Sequence, residues 1–291
     1  MVKLKGDPFE NRYRVVGVLE SLTPLHIGSG LVREEPLSTS QEHTDPTETV
    51  KVSEICVDYS NKPIIPGSTI RGNIRHYLLH VFQPISATIA KEFEGPEDLN
   101  QQQQIDYMLN QASMLERLLG TPFAEGKVEF WDAPLINRTI QMPPGYESAG
   151  WNPDRCTYIV KSVAIDPATG TAAARKLYTF EVAPAGMQYE LNVVGQNLDD
   201  EELGLLFFGL EAINSEIYPL TLGAMSGRGF GRMKFSAKTI YKLDKQDLNE
   251  WIKQSIEKSH GGYYALKEVK DYQKLINRFK DAFSELVGGV L

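Results

Sequence analysis

The stretch Gly223–Phe235, Gly-Ala-Met-Ser-Gly-Arg-Gly-Phe-Gly-Arg-Met-Lys-Phe, constrains this chain more than any other. Four of its first nine residues are glycine, two arginines are set among them, and the run passes into an apolar-basic alternation that reads as a strand. A backbone that turns this tightly needs φ > 0, which glycine supplies without a Cβ clash. Exposed N–H groups and arginine forks also suit phosphate oxygens, which makes Ser226, Gly227, Arg228 and Arg232 candidate contacts for a nucleic-acid backbone. A dinucleotide-binding fingerprint is excluded. Arg232 stands where its last glycine belongs, and the run opens a strand instead of a helix. A hairpin that simply needs glycine to turn stays open at this point.

Charge narrows the partners. The chain has 291 residues and a formal net charge of −8, so it is not a uniformly basic nucleic-acid binder. The charge is uneven, however. Residues 31–60 hold seven acids against Arg33 and Lys51, whereas Arg71 with Arg75, and Arg228 with Arg232 and Lys234, have no acid beside them in sequence. Local basic stripes are what a backbone-tracking surface requires, whatever the total. No run of 18 or more apolar residues is present and the N-terminus is polar, so the sequence predicts a cytoplasmic protein without a membrane partner. Cys56 and Cys156 lack metal-ligand spacing and read as packing residues.

A second basic feature lies at Lys62–His76. Pro66-Gly67 turns the chain, Ser68 or Thr69 is placed to cap a helix running through Phe82, and Arg71 and Arg75 share one face at i, i+4. A helix start with hydroxyls and two guanidiniums makes an anion site; an ordinary capped helix with a solvated basic face is the alternative. Between the two features, Thr23–Gly30 reads as a turn that exposes His26, a candidate donor to RNA.

The remaining pattern is mixed. Arg12–Leu22, Lys127–Asp132, Tyr189–Val194 and the run after Gly231 read as strands, and Asp199–Ser215 as a capped amphipathic helix. Residues from Leu31 to about Val50 read as a flexible loop, 83–104 with four consecutive glutamines as a surface excursion, and 143–185 as an insertion holding a projecting hairpin. Two strand-helix-strand passages predict an α+β sheet with helices on one face. The core spans 1–240, with insertions at about 31–60, 83–104 and 143–185, and 241–291 forms a C-terminal helical extension.

His26-Ile-Gly-Ser-Gly30, Ile65-Pro-Gly-Ser-Thr-Ile-Arg-Gly72, Leu118-Leu-Gly-Thr121 and Ser226-Gly-Arg-Gly-Phe-Gly-Arg232 together resemble the ordered motifs of the repeat-associated mysterious protein (RAMP) superfamily. Ile165-Asp-Pro-Ala-Thr-Gly-Thr-Ala with Leu177-Tyr-Thr-Phe-Glu-Val-Ala-Pro-Ala-Gly186 is similar to the thumb of backbone subunits of type III CRISPR effector complexes. The likeness covers roughly residues 13–236. It implies a ferredoxin-like, RNA-recognition-type core whose thumb hairpin pushes between guide and target RNA. It also implies partnership with a CRISPR guide RNA, a complementary target RNA and other effector subunits. Carried over by position, Ser68, Thr69, Arg71, Arg75, Ser226, Gly227, Arg228 and Arg232 hold guide phosphates, and Arg175 and Lys176 act near the thumb tip.

Slicing members of the family cut target RNA with a loop aspartate and a divalent cation. Here the loop departs from that pattern: the expected position falls near Lys51, and Asp45, Glu48 and Asp58 stand instead. Asp45, followed by Pro46, is the candidate catalytic acid, with Mg2+ or Mn2+ as the cation if the subunit cuts, since a hard cation takes oxygen ligands and stabilises charge on phosphate. The alternative within the family is a stand-alone endoribonuclease that processes precursor CRISPR RNA, with His26 recruited as general base. A small-molecule phosphate enzyme is disfavoured, because no Walker-type lysine or metal cluster is present in the sequence.

Overall fold

The computed structural model describes residues 3–36, 49–96, 98–136, 150–165, 172–257 and 267–290. Its main sheet is built on β1 (Asn11–Ser21), where every second residue from Tyr13 faces inward and Arg12, Arg14, Val16, Val18 and Glu20 face the other way. That period of two is the reason the segment is a strand with one face buried. Gly17 is required by the packing, since a Cβ there would lie 2.7 Å from the Phe235 ring.

Chain order then gives β2 (Gly28–Pro36), β3 (Thr49–Ile55), helix α1 (Gly67–Phe82), α2 (Gln101–Asn110), α3 (Met114–Leu119) and β4 (Val128–Phe130). The second half supplies β5 (Tyr158–Ile165), β6 (Ala172–Val182), β7 (Gln188–Gln196), α4 (Asp200–Glu211), β8 (Met233–Asp244), α5 (Leu248–Glu257), β9 (Lys267–Glu268) and α6 (Tyr272–Gly288). The five-stranded sheet runs β9-β8-β1-β7-β4, with antiparallel pairing at each join. Leaving out the short edge β9, the connections β1-α1-β4 and β7-α4-β8 are two interlocked split βαβ units. This α+β order is consistent with the ferredoxin-like expectation.

The helices bury one face of that sheet. Ile70, Ile74, Leu78 and Phe82 form the buried stripe of α1, and Leu203, Leu206, Phe207 and Leu210 that of α4. Asp199 and Glu202 form a reciprocal capping box at the start of α4, which was readable from the sequence. α6 lies across α4 and inserts Ile276, Phe279 and Phe283 into the same core. The approach is close because Gly204 has no side chain: a Cβ there would stand 2.3 Å from the Phe279 carbonyl oxygen. Part of the C-terminal extension therefore packs as core.

Two expectations are corrected. Residues 31–36 belong to strand β2, not to a loop; residues 37–48, including Asp45, lie outside the described residues. The polar composition was overridden by pairing, because β2-β3-β6-β5 form a second, four-stranded sheet in which β3 and β6 are parallel at Val52↔Thr179 and Phe180↔Ser53. Likewise the four glutamines open helix α2 instead of lying on an irregular excursion. Asn100 accepts from the Gln103 N–H while the Gln103 side chain accepts from Asn100 N–H, a capping box that outweighs low complexity.

Candidate nucleic-acid interface

Ser68, Arg71 and Arg75 lie together along one side of α1. The helix does not start as its sequence suggests, since Pro66 is the N-cap and neither Ser68 nor Thr69 caps it. Asp132, from the segment after β4, accepts the Gly67 N–H at 2.8 Å. A carboxylate thus already complements the helix start, so the anion site is not made by its free N–H groups. What remains for a ligand is the side-chain stripe one turn further on.

Arg71 donates to the Leu119 carbonyl, and Arg75 to that of Gly120 at 2.7 Å, so both guanidiniums are fixed against the end of α3. Neither forms an ion pair with a carboxylate among the described residues. Burial, and then the charge of Arg75, lower the Arg71 pKa from its usual value, a repulsion that an anion between the two would relieve. A cleft of about 400 Å³ opens here, lined by Ser68, Arg71, Gly72 and Arg75 on one side and by Glu92, Phe93 and Gly120–Pro122 on the other. A second cleft of about 480 Å³ shares Ser68 and Arg71 and continues to Lys5, Glu125, Glu129 and Phe130. The two form one groove along the exposed side of α1. Lys5 is neutralised by Glu125 and Glu129, so Arg71 and Arg75 are the groove's cations without an ion-pair partner among the described residues, with the exposed Glu92 lining the same cleft.

The far wall of the groove comes from the segment 83–119. Tyr107, Met108 and Ala112 form a small core of their own, over which Phe93 and Phe123 pack. Phe93 meets Tyr107 and Phe123 edge-on, each at 5.0 Å between ring centroids. Buried Glu116 caps α3 through Ser113 and accepts from the Tyr107 hydroxyl at 2.7 Å. Sequence analysis missed Phe93, although a lone aromatic in a polar stretch, next to Gly95-Pro96, was a usable signal.

The glycine loop forms a separate group. Ser226–Arg228 is a single 3-10 turn flanked by Met225 and Gly229 in the left-handed region, and Ser226, Gly227, Arg228 and Arg232 are exposed. The N–H groups of Arg228, Gly229 and Phe230 bond to the carbonyls of Met225 and Ser226, so the turn itself consumes several of its donors. Gly231 (φ 76°) is obligatory, because a Cβ would lie 2.0 Å from the Leu222 oxygen. Phe230 packs near Phe180 (6.2 Å), tying the loop to the base of the β5/β6 hairpin.

These two groups do not form one cradle. Arg232 sits beside the end of β1 at Leu22, whereas α1 starts beside Phe130, whose register partner Val193 faces Val15. About six residues along the strands and three strand spacings across separate them, on the order of 25 Å. A single phosphate cannot bridge the two, though a strand of several nucleotides can.

His26 is buried, not exposed as the turn suggested. Its Nδ1 lies 2.6 Å from the Glu181 carbonyl oxygen, and its ring is edge-on to Phe180. The second sheet, formed from segments remote in sequence, covers it. Arg175 and Lys176 fall on strand β6, but their side chains lie outside the described residues, as do residues 166–171 between β5 and β6 in sequence. Among the described residues no group of three or more His, Cys, Asp or Glu is arranged to hold a metal ion.

Sequence analysis missed the buried carboxylate that organises the second sheet. Glu181, fully buried, accepts from Arg155 Nε (2.7 Å) and Nη2 (2.9 Å), from Thr157 Oγ1 (2.6 Å) and from the Ile55 N–H (3.2 Å), and pairs with Arg33 at 3.0 Å. Its only local sign is one acid within the apolar run Tyr178-Thr-Phe-Glu-Val.

The fold and groove thus define an α+β protein with a channel that carries an arginine pair and an aromatic side chain beside a split βαβ sheet. The sequence profile of the RAMP superfamily matches residues 18–234, and the chain belongs to that family. Membership supports a CRISPR-associated, RNA-binding role. A comparison with curated proteins finds no match. No helix among the described residues is long and apolar enough to cross a membrane.

Proposed function

We propose that this chain is a guide-RNA-binding backbone subunit of a type III CRISPR effector ribonucleoprotein. The observation that carries the proposal is the groove along α1, where Arg71 and Arg75 are positioned by backbone carbonyls and left without a carboxylate partner among the described residues. Guide phosphates lie on Ser68, Thr69, Arg71 and Arg75, and several nucleotides further on the strand meets Ser226, Gly227, Arg228 and Arg232. The β5/β6 hairpin serves as the thumb, with Arg175 and Lys176 toward its tip, and other effector subunits and a complementary target RNA complete the assembly. Burial of His26, with its Nδ1 against a carbonyl, weighs against the stand-alone processing endoribonuclease, which needs a reachable general base.

Replacing Arg71 and Arg75 together by alanine is expected to weaken single-stranded RNA binding about tenfold or more at physiological salt, whatever the sequence. The slope of log K against log salt should also flatten by roughly 0.7 for each lost phosphate contact. Fluorescence anisotropy across a salt series, with thermal unfolding to confirm that the variant folds, measures both. An unchanged affinity and slope would remove the groove from the proposal.

Target cleavage, where the assembly performs it with Mg2+ or Mn2+, is assigned to Asp45. Asp45→Ala should abolish metal-dependent cutting of complementary RNA in the assembled complex and leave guide binding intact. Cutting at every position as before would rule Asp45 out.

A further inference from the structure

The α1 groove changes character along its length. At one end Arg71 and Arg75 offer charge, while Glu92 and Phe93 line the same cleft with them. Phe93 is half-buried, is held edge-on by Tyr107 and Phe123, and is confined on another side by Gly95, where a Cβ would come within 2.4 Å of the ring. An aromatic held in place by its neighbours and lining one cleft of about 400 Å³ with an arginine pair suits a ligand that is anionic at one end and flat and apolar at the other. A nucleotide has that chemistry, whereas a bare phosphate would make no use of the ring.

Resting on the groove reading above, we infer that the Phe93 end of the channel is a nucleobase subsite: one base packs against Phe93 while its phosphate lies between Arg71 and Arg75. The interaction tolerates sequence, because every base has an apolar face. It also assigns a function to segment 83–119, whose small core holds the ring in place.

The test compares a fluorescein-labelled decauridylate with a ribose-phosphate decamer of the same length that lacks bases, both titrated against the full chain by anisotropy. The wild-type chain should prefer the uridine decamer at least fivefold, within the range of one base–aromatic contact. Phe93→Leu keeps an apolar side chain over Tyr107 and Phe123, so the small core stays filled; there the preference should fall below twofold, and Phe93→Tyr should restore it. A preference that is absent in the wild type, or that persists in Phe93→Leu, overturns the subsite. The Arg71→Ala/Arg75→Ala chain separates the two ideas. Weakened binding of both decamers keeps the groove even if the subsite fails, and unweakened binding removes the groove itself.

Discussion

Replacing Glu181 by alanine is expected to cost on the order of 3–5 kcal/mol of stability at pH 7, the usual penalty for breaking a buried ion pair from one side. The substitution leaves Arg155 and Arg33 without their shared carboxylate, and the Thr157 hydroxyl and the Ile55 N–H without their acceptor. Arg33 keeps Glu35 at 2.7 Å, but for Arg155 only Glu54, at 3.8 Å, remains as a weak substitute. Burial alone would push the Glu181 carboxyl up; the bonds from Arg155 and Thr157, the Ile55 N–H and the charge of Arg33 outweigh it and hold the group below the usual carboxylate range. A folded pKa below the unfolded one means that this stabilisation is complete above the unfolded value, about 4.3, and is lost as pH falls through the folded value. Urea unfolding of wild type and variant from pH 7 to 3 should therefore show curves that converge on acidification. A loss under 1 kcal/mol at pH 7, or a gap that widens in acid, contradicts the assignment.

Lys127→Met should destabilise the chain by a similar 3–5 kcal/mol at pH 8, but with the opposite response to acid. Lys127 Nζ bonds both Glu202 carboxylate oxygens at 2.7 Å, and both side chains are buried. Burial dominates at Glu202 and raises its pKa despite the lysine. Without Lys127 the group rises further, so folding is opposed above that raised value and the opposition fades as pH falls toward the unfolded value. The variant should thus regain stability between pH 8 and 5, read as a rising thermal midpoint. A midpoint that falls over this range would refute the account. The pair also matters to the groove, because Lys127 leads into β4, the strand beside which α1 begins.

How much of this was legible follows from where the partners lie. β1, β7, β8, α1 and α4 carry their own periodicity and, in α4, its own cap, so local pattern sufficed. Arg71 and Arg75 were visible for the same reason, at i, i+4 on one face. The capping of α1 was not, because Asp132 is remote from Gly67 and carries no local mark of that role. Strand β2 and the burial of His26 were hidden for a related reason: each depends on a sheet assembled from two insertions, and a polar segment becomes a strand only when a neighbour pairs with it. Separation of the arginine pair from the glycine loop likewise depended on strand order, which side-chain pattern alone does not specify.

That parallel join between Val52 and Thr179 also governs when the molecule can mature. At roughly 5–20 residues per second on the ribosome, β3 waits on the order of ten seconds for its partner to be synthesised, and Glu181 emerges later than both Arg33 and Arg155. Until then Arg33 has only Glu35 and Glu54, and Arg155 only Glu54, as counter-charge, and an edge of β3 stands open, so the nascent chain depends on the polar character of this segment to stay out of unwanted strand pairing.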